Sequence, residues 1–264
     1  MDLTAFEISK RFVNKTGTHF FKDKVLTISS ISELCTIEKK ERFIEFGSAV
    51  PLSHILEIGR TNMSPVLYDA IKTVATASVR NIATIGGNIC AGVELSSETN
   101  EENSLIQKNT LWAPLLALDA VLEFKRKNNE AKLIPFSQFK KVPQGYLLTK
   151  VRIPFNESEI AIFKRVGPSN RITKDSASFV FLADTEKDSI LSIKIVLAGA
   201  VVFHPLELEN QIMYTKLPLT REFIEQKVSA AEQLYDRQFE QVNVKPLLKN
   251  QFLNLLRNSF EQLM

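Results

Sequence analysis

The spacing of apolar residues predicts helices and strands in the first part of the chain. Three stretches predict helices: about 4–15, PLSHILEIG (51–59) and about 65–76. Two apolar stretches predict strands: KVLTISSI (24–31), which leads into a turn, and RFIEFGSAV (42–50), whose strand ends at Gly47. Ser64 as N-cap, followed by Pro65 at the first helical position, marks the start of the third helix.

The second part of the chain is rich in strand-like segments and ends in helices. The residues after Pro114 predict a short apolar piece and then two strands joined by a turn at NNEA (128–131). Four further segments predict an antiparallel sheet: 145–154, 161–167, 175–184 and 189–202. Helices are predicted at about 219–235 and 244–263. The apolar stripe of the last helix is Leu248, Phe252, Leu255, Leu256, Phe260 and Leu263. Strands followed by helices predict an α+β module with the helices on one face of the sheet.

Composition and charge exclude several classes of protein. The chain is 44% hydrophobic and 24% charged, which is typical of a globular protein, and a net charge of +3 does not indicate a nucleic-acid partner. The longest apolar run, IVLAGAVVF (195–203), is about half the length that a membrane-spanning helix needs. The first residues, MDLTAFEISKRF, contain charges and lack a secretory apolar region. We therefore expect a cytoplasmic protein with no membrane partner.

Few residues in the sequence could hold a metal. Two cysteines cannot supply the four thiolates of an iron–sulfur cluster, and the three histidines are not spaced as ligands. We expect no metal in this chain. The sequence also contains no nucleophile elbow and no phosphate loop of the Gly-Lys-Ser/Thr type.

The stretch ATIGGNICAG (83–92) contains two adjacent glycines in a chain that has only nine. Glycine permits positive φ, close packing of two elements, or contact between a ligand and the main chain. Free amides in such a turn can also bind a pyrophosphate. The spacing differs from the Gly-x-Gly-x-x-Gly dinucleotide fingerprint. From this stretch alone, a plain turn and an anion-binding turn both stay open.

A wider set of motifs resembles a known family. VRNIATIGGNIC (79–90) is followed in order by PLLALDAVLEF (114–124), YLLTKVRIP (146–154) and FKRVG (163–167). Together they resemble the FAD-binding (medium) subunit of the molybdenum hydroxylases, the xanthine dehydrogenase and carbon monoxide dehydrogenase flavoprotein family. The resemblance covers the chain from about residue 24 to its end.

The resemblance implies an α+β fold in two domains. The first, over 1–154, would be a two-part, PCMH-like FAD-binding domain with a small subdomain over about 1–45 and a larger one over about 46–154. The second, over 155–264, would be an antiparallel sheet packed with helices, as in the C-terminal domain of the carbon monoxide dehydrogenase flavoprotein.

The resemblance also implies a set of cofactor-binding residues: Thr84, Ile85, Gly86, Gly87, Asn88, Leu148 and Lys164. The amides of 84–88 and the Thr84 hydroxyl would meet the phosphates and ribityl chain of FAD. Leu148 would lie against the flavin, and Lys164 near it, where a cation favours the anionic reduced form. A core role for Leu148 and a solvated strand position for Lys164 are the alternatives.

Two segments depart from the family pattern. The N-terminal flavin loop, which contains two glycines in relatives, is matched here by NKTGTHFF (14–21) with Gly17 alone. The polar, acidic loop over 92–110 contains no aspartate where relatives have one that binds the flavin chain, and Glu94 is the nearest substitute. Each charge-assisted hydrogen bond contributes about 1.5–3 kcal/mol, so these losses predict FAD that is weakly held or lost.

Two functions follow from the resemblance. The first is an FAD-binding electron-transfer subunit of an oxidoreductase, with a molybdopterin-binding large subunit and an iron–sulfur small subunit as partners. Electrons would pass from the clusters through the flavin to NAD or another acceptor. The second is a flavin-free structural or assembly subunit of the same fold.

Overall fold

The computed structural model describes residues 28–91, 93–94, 106–128, 130–155, 158–168, 172–173, 175–242 and 245–264. The described residues form two compact units. The first unit takes them from 1–64, 74–92 and 118–156, and the second from 65–73, 93–117 and 157–264. The helix predicted over about 4–15 and the loop at Gly17 lie outside the described residues. The domain division at residue 154 stays a prediction.

The described residues contain eight α-helices and eleven strands. The helices are α1 (Leu52–Glu57), α2 (Pro65–Thr73), α3 (Ala77–Arg80), α4 (Ile85–Cys90), α5 (Trp112–Ala117), α6 (Leu206–Ile212), α7 (Arg221–Phe239) and α8 (Pro246–Phe260). The strands are β1 (Ile37–Lys39), β2 (Phe43–Gly47), β3 (Val93–Glu94), β4 (Ile106–Gln107), β5 (Val121–Lys125), β6 (Ala131–Pro135), β7 (Leu147–Pro154), β8 (Ile160–Val166), β9 (Ala177–Glu186), β10 (Ser189–Ala198) and β11 (Val202–Phe203).

The first unit is built on an antiparallel five-stranded sheet in the order β1-β2-β7-β5-β6. Successive side chains of a strand point to opposite faces of the sheet, so each strand contributes to two surfaces. Phe46, Leu122 and Val151 stand in register on one face and are fully buried. Helix α4 packs against β2 and β7.

The second unit is built on an antiparallel four-stranded sheet in the order β11-β10-β9-β8. Alternate residues of β9 and β10 enter one apolar core together with α6, α7 and α8. Ser178, Val180 and Leu182 of β9 are also buried and face the other way. Helix α5 packs on β9 and β10, and α2 packs on β8. Both faces of this sheet are therefore covered by helices.

The α+β class and the C-terminal sheet packed with helices are confirmed. In the apolar stripe of α8 and the turn after it, every predicted residue except the half-buried Leu255 is buried. The helix predicted over 65–76 ends at Thr73 because Ala75 has φ 45°. Helix α6 was not predicted.

One predicted strand joins a different sheet. The strand pattern alone groups 145–154 with the three later segments in one sheet, whereas the domain division implied by the resemblance places it in the first domain. Strand β7 pairs with β2 and β5 in the first unit. The grouping by strand pattern was wrong because an alternating pattern gives the faces of a strand and not its neighbours. The segment 28–31, at the end of a predicted strand, forms a turn, and the rest of that strand lies outside the described residues.

Candidate functional site

The two glycines lie in the first turn of a helix. Thr84 has an extended backbone and is the N-cap of α4, and its Oγ1 accepts a hydrogen bond from the Gly87 amide at 3.0 Å. This is the preferred arrangement of a capping threonine. The hydroxyl oxygen is therefore used within the turn, while a hydroxyl can still donate its own hydrogen to another acceptor.

The four amides of residues 85–88 donate within the chain. The Ile85 amide donates to the Val50 carbonyl oxygen at 3.1 Å and the Gly86 amide to that of Ser48 at 2.9 Å. The Asn88 amide donates to the Thr84 carbonyl oxygen at 3.0 Å. The first amides of a helix usually lack partners within the helix. Here the hydrogens of these four amides are used within the chain.

The two glycines face different surroundings. A Cβ atom on Gly86 would lie 2.6 Å from the Ser48 carbonyl oxygen and 2.8 Å from the Ser48 Cβ. Gly86 is buried, so its missing side chain allows the helix to pack against the residue after β2. Gly87 is exposed, and the nearest atom to a Cβ placed there is Thr84 Oγ1 at 3.1 Å. The bare surface open to a ligand is that of Gly87.

Ser48 adds a polar atom to the packing of this turn. It follows β2, its amide donates to the Thr149 carbonyl oxygen at 2.9 Å, and its side chain lies against Gly86. The residue is 4% exposed, and its Oγ has no hydrogen-bond partner among the described residues. A buried hydroxyl without a partner costs about 1–3 kcal/mol. Ser48 therefore has an unused donor beside the predicted flavin turn.

Leu148 and Lys164 are the two other predicted site residues. Leu148 is 2% exposed and stands in register with Phe124, so almost none of its surface is open to a ligand in this structure. Lys164 lies in β8 of the second unit and is exposed. Among the described residues it has no ion-pair partner. Cofactor contact stays a prediction for both residues and for 84–88.

Charged side chains occupy the other face of the five-stranded sheet. Glu45 accepts from Lys150 and, at 2.7 Å, from Arg152 Nε, while Arg152 also donates to Glu123 at 2.6 Å. The Thr149 hydroxyl donates to Glu123 at 3.0 Å. Burial raises the pKa of Glu45, but the hydrogen bonds from the two cations outweigh it, and the pKa lies below its usual value. This network joins three strands.

The long polar loop is described only at its ends. Val93 pairs with Gln107, and Glu94 with Ile106, in a two-stranded ladder. The residues between Glu94 and Ile106 lie outside the described residues. The substitution of Glu94 for the missing aspartate stays a prediction.

Two searches for other kinds of site gave no candidate in the described residues. No group of three or more His, Cys, Asp or Glu side chains there is arranged to hold a metal ion. None of the helices in the same ranges combines the length and apolar character needed to cross a bilayer.

Comparisons with known proteins agree with this fold. The fold matches carbon monoxide dehydrogenase from Hydrogenophaga pseudoflava with a TM-score of 0.66 and 16% identity, over 89% of this chain and 78% of that one. The chain is 27% identical over 244 residues to probable aldehyde oxidase 1 of Oryza sativa subsp. japonica, which covers 85% of the chain and 17% of the relative. It is 26% identical over 205 residues to xanthine dehydrogenase 1 of Arabidopsis thaliana, and this match covers 70% of the chain and 14% of the relative.

The family model described as the FAD binding domain in molybdopterin dehydrogenase matches residues 12–156. Because this match covers more than half of the chain, the chain belongs to that family. The chain spans less than a fifth of the length of the two plant relatives.

The sequence alone did not single out Ser48. The small residue follows Gly47 in FGSAVP, and nothing local in that pattern distinguishes it from a packing position. Its proximity to Gly86 depends on how α4 packs against β2, which a linear motif does not contain.

Proposed function

We propose that this chain is an FAD-binding electron-transfer unit of a molybdenum hydroxylase. The observation that carries the proposal is the family match over 12–156, within which the exposed Gly87 stands beside the Thr84 hydroxyl. FAD supplies the redox chemistry when bound, and the protein binds and orients it. A molybdopterin-binding subunit and an iron–sulfur subunit would be the partners, and NAD or another acceptor would take the electrons.

Two groups at the start of α4 remain available to a flavin dinucleotide. The Thr84 hydroxyl can donate its hydrogen while its oxygen caps α4. Gly87 leaves the first turn without a side chain at the surface, so a ligand can approach the main chain there. These groups provide fewer charge-assisted bonds than a set of free amides, and we expect weak FAD binding.

One observation favours the second candidate, a flavin-free structural or assembly subunit. The amides of Ile85 and Gly86 are sealed by carbonyl oxygens of residues 48–50 rather than left open. In this case the glycine turn serves packing alone, because the absence of a side chain on Gly86 leaves room for Ser48.

Retention of flavin by the purified chain separates the two candidates. The protein is incubated with excess FAD, gel-filtered and examined for flavin absorbance, and its Kd is measured by quenching of flavin fluorescence. Retained flavin supports the first candidate. A colourless protein with no measurable quenching contradicts it and supports the scaffold.

A substitution at Gly87 then tests the location of the site. Gly87→Asp places a carboxylate at the third position of α4, where helices tolerate an acid, so the fold should persist. The added charge would face the phosphates and weaken FAD by about 100-fold or more. Gln226→Glu adds the same charge at an exposed position of α7 and should leave the Kd unchanged. Equal FAD binding by Gly87→Asp and wild type would place the site elsewhere.

A further inference from the structure

We propose that the end of the first sheet formed by residues 125–141, the basic edge, is a docking surface for an acidic, extended segment of another protein. The segment adds a strand to β6, as peptides do at exposed sheet edges. The inference goes beyond the proposed function and does not depend on FAD, because it rests on the charge and exposure of one sheet edge.

The first step of the argument is that positive charge is concentrated in this stretch. Residues 125–141 contain six cationic side chains and one carboxylate, a net charge of +5 in a chain whose net charge is +3. The remaining 247 residues therefore carry a net charge of −2. The cations are Lys125, Arg126, Lys127, Lys132, Lys140 and Lys141. So uneven a distribution attracts acidic molecules to one region of the surface.

The second step is that the fold brings these cations together. Strands β5 and β6 form a hairpin, and the chain after β6 returns to the same end of the sheet. Phe139 stacks on Phe124 with ring centroids 5.8 Å apart, and the Tyr146 hydroxyl donates to Glu130 at 2.9 Å. The cations at the two ends of 125–141 therefore border one edge of the sheet.

The third step is that most of this charge is not neutralised within the part of the chain that the structure describes. Four exposed lysines have no ion-pair partner there: Lys127, Lys132, Lys140 and Lys141. The two carboxylates of the hairpin already accept hydrogen bonds, Glu130 from Tyr146 and Glu123 from Arg152 at 2.6 Å. The lysines can therefore meet the carboxylates of a partner.

The fourth step is that β6 has a side open to another strand. It is the last strand of its sheet, and among the described strands it pairs only with β5. Four of its five residues are exposed, and Leu133 among them is 51% exposed. The main-chain groups of such an edge are a template for a further strand.

These features favour an acidic protein segment over two other occupants. A second copy of the chain would bring one +5 stretch against another, and like charges repel. Single-stranded nucleic acids bind where aromatic rings stack on their bases, but the rings of Phe124, Phe136 and Phe139 are buried. Acidic side chains of an extended segment can meet the lysines while its main chain pairs with β6.

The first test uses a fluorescent peptide of about eight residues that alternates Glu and Val, a pattern that favours a strand. Its Kd for the whole chain is measured by fluorescence anisotropy. We expect binding at about 0.05 M salt that weakens by about 10-fold or more at about 0.5 M, because salt screens the charges. A peptide that alternates Glu and Pro has the same charge but no amide at every second residue, and should bind about 10-fold more weakly. Equal binding of the two peptides, or no binding of the Glu–Val peptide at low salt, overturns the inference.

Substitutions separate the basic edge from the net charge of the chain. The test variant replaces three exposed lysines of this edge: Lys127→Gln, Lys132→Gln and Lys140→Gln. The control variant removes the same charge from exposed positions of the second unit: Lys187→Gln, Lys216→Gln and Arg221→Gln. We expect the test variant to raise the Kd for the Glu–Val peptide by about 10-fold and the control to leave it unchanged. Equal effects of the two variants overturn the assignment to this edge.

Two further probes test the class of partner. One is a single-stranded RNA with as many phosphates as the peptide has carboxylates, and the other is a vesicle that contains phosphatidylserine. Weaker binding of both probes than of the Glu–Val peptide at the same salt supports a protein partner. Tighter binding of either probe, lost in the test variant, overturns the proposal in favour of that class of partner.

Discussion

The amide of Gly86 donates to the carbonyl oxygen of Ser48 across 2.9 Å and fastens the first turn of α4 to the residues that follow β2. Helix α4 has only six residues, from Ile85 to Cys90, and so short a helix is not stable by itself. The bonds to Ser48 and Val50 supply partners that the helix cannot provide. Gly86 therefore allows α4 to pack closely against Ser48, whereas Gly87 leaves the main chain exposed.

Substitution by alanine should affect stability differently at Gly86 and at Gly87. Gly86→Ala places a methyl group 2.6 Å from the Ser48 carbonyl oxygen, and this main-chain atom cannot move away easily. We expect it to lower the free energy of unfolding by about 1–3 kcal/mol, as overpacked substitutions do. Urea denaturation followed by circular dichroism measures the change.

Gly87→Ala is the control for this prediction. Its Cβ would meet only the Thr84 hydroxyl at 3.1 Å, and alanine favours a helix over glycine by about 1 kcal/mol. Its effect should be much smaller than that of Gly86→Ala. Equal destabilisation by the two substitutions would contradict the packing described for Gly86.

Capping residues and helical periodicity correctly predicted the helices that depend on them. Ser64 and Pro65 predict the start of α2, and the stripe that contains Phe252 and Phe260 predicts α8, because capping and helical periodicity depend on nearby residues. The partners of the Gly86 amide could not be predicted, since they depend on where β2 ends relative to α4. The strand pattern grouped β7 with the wrong sheet for the same reason, because pairing is not local.

The cofactor-site residues could be predicted only through resemblance. A pair of adjacent glycines has several physical uses, and the sequence does not choose between them. In the structure Gly86 packs against Ser48, whereas Gly87 is exposed. Gly86 and Gly87 differ because their main chains face different neighbours in the fold.

The charge network on the first sheet should make stability depend on pH. The pKa of Glu45 lies below its ordinary value of 4.5 in the folded state because the hydrogen bonds from Lys150 and Arg152 outweigh burial. A depressed carboxyl pKa contributes stability above the unfolded pKa, and this stability is lost as the pH falls through the folded value. We expect Glu45→Gln to lower the free energy of unfolding at pH 7 by about 1–3 kcal/mol. The difference from wild type should shrink below about pH 4.

The neighbouring Glu38 provides the matched control for Glu45. It stands opposite Glu45 in the β1–β2 ladder, but its partner Lys40 is exposed. Exposed ion pairs contribute little, so Glu38→Gln should change stability much less. Urea unfolding of the three proteins at a series of pH values measures both effects. A Glu45→Gln difference that does not vary between pH 7 and pH 3 would exclude the network as its source.

The Glu209 carboxylate should stabilise the second sheet by accepting a hydrogen bond from β10. Strand β11 pairs only with Leu197 and Ala198, and the amide of Ile195 donates instead to Glu209 Oε1 at 2.6 Å. Glu209→Ala leaves that buried amide without a partner, and we expect a loss of about 1–3 kcal/mol in the free energy of unfolding. Glu209→Gln retains an acceptor oxygen and should lose less. Equal losses in urea denaturation would show that the hydrogen bond to Ile195 is not the source.

The two cysteines should differ in reactivity in the folded protein. Burial raises the pKa of the Cys90 thiol, at the end of α4, to about 12, whereas Cys35 is exposed. Because the thiolate is the reactive form, about one Cys90 in 10⁴ is ionised at pH 8. We expect Ellman's reagent to modify one thiol per chain rapidly under native conditions and both in urea. Cys35→Ser should remove the rapid phase, and Cys90→Ala should keep it. Rapid modification of Cys90 in the folded Cys35→Ser protein would mean that α4 opens on that timescale, against the packing that its bonds to Ser48 and Val50 impose.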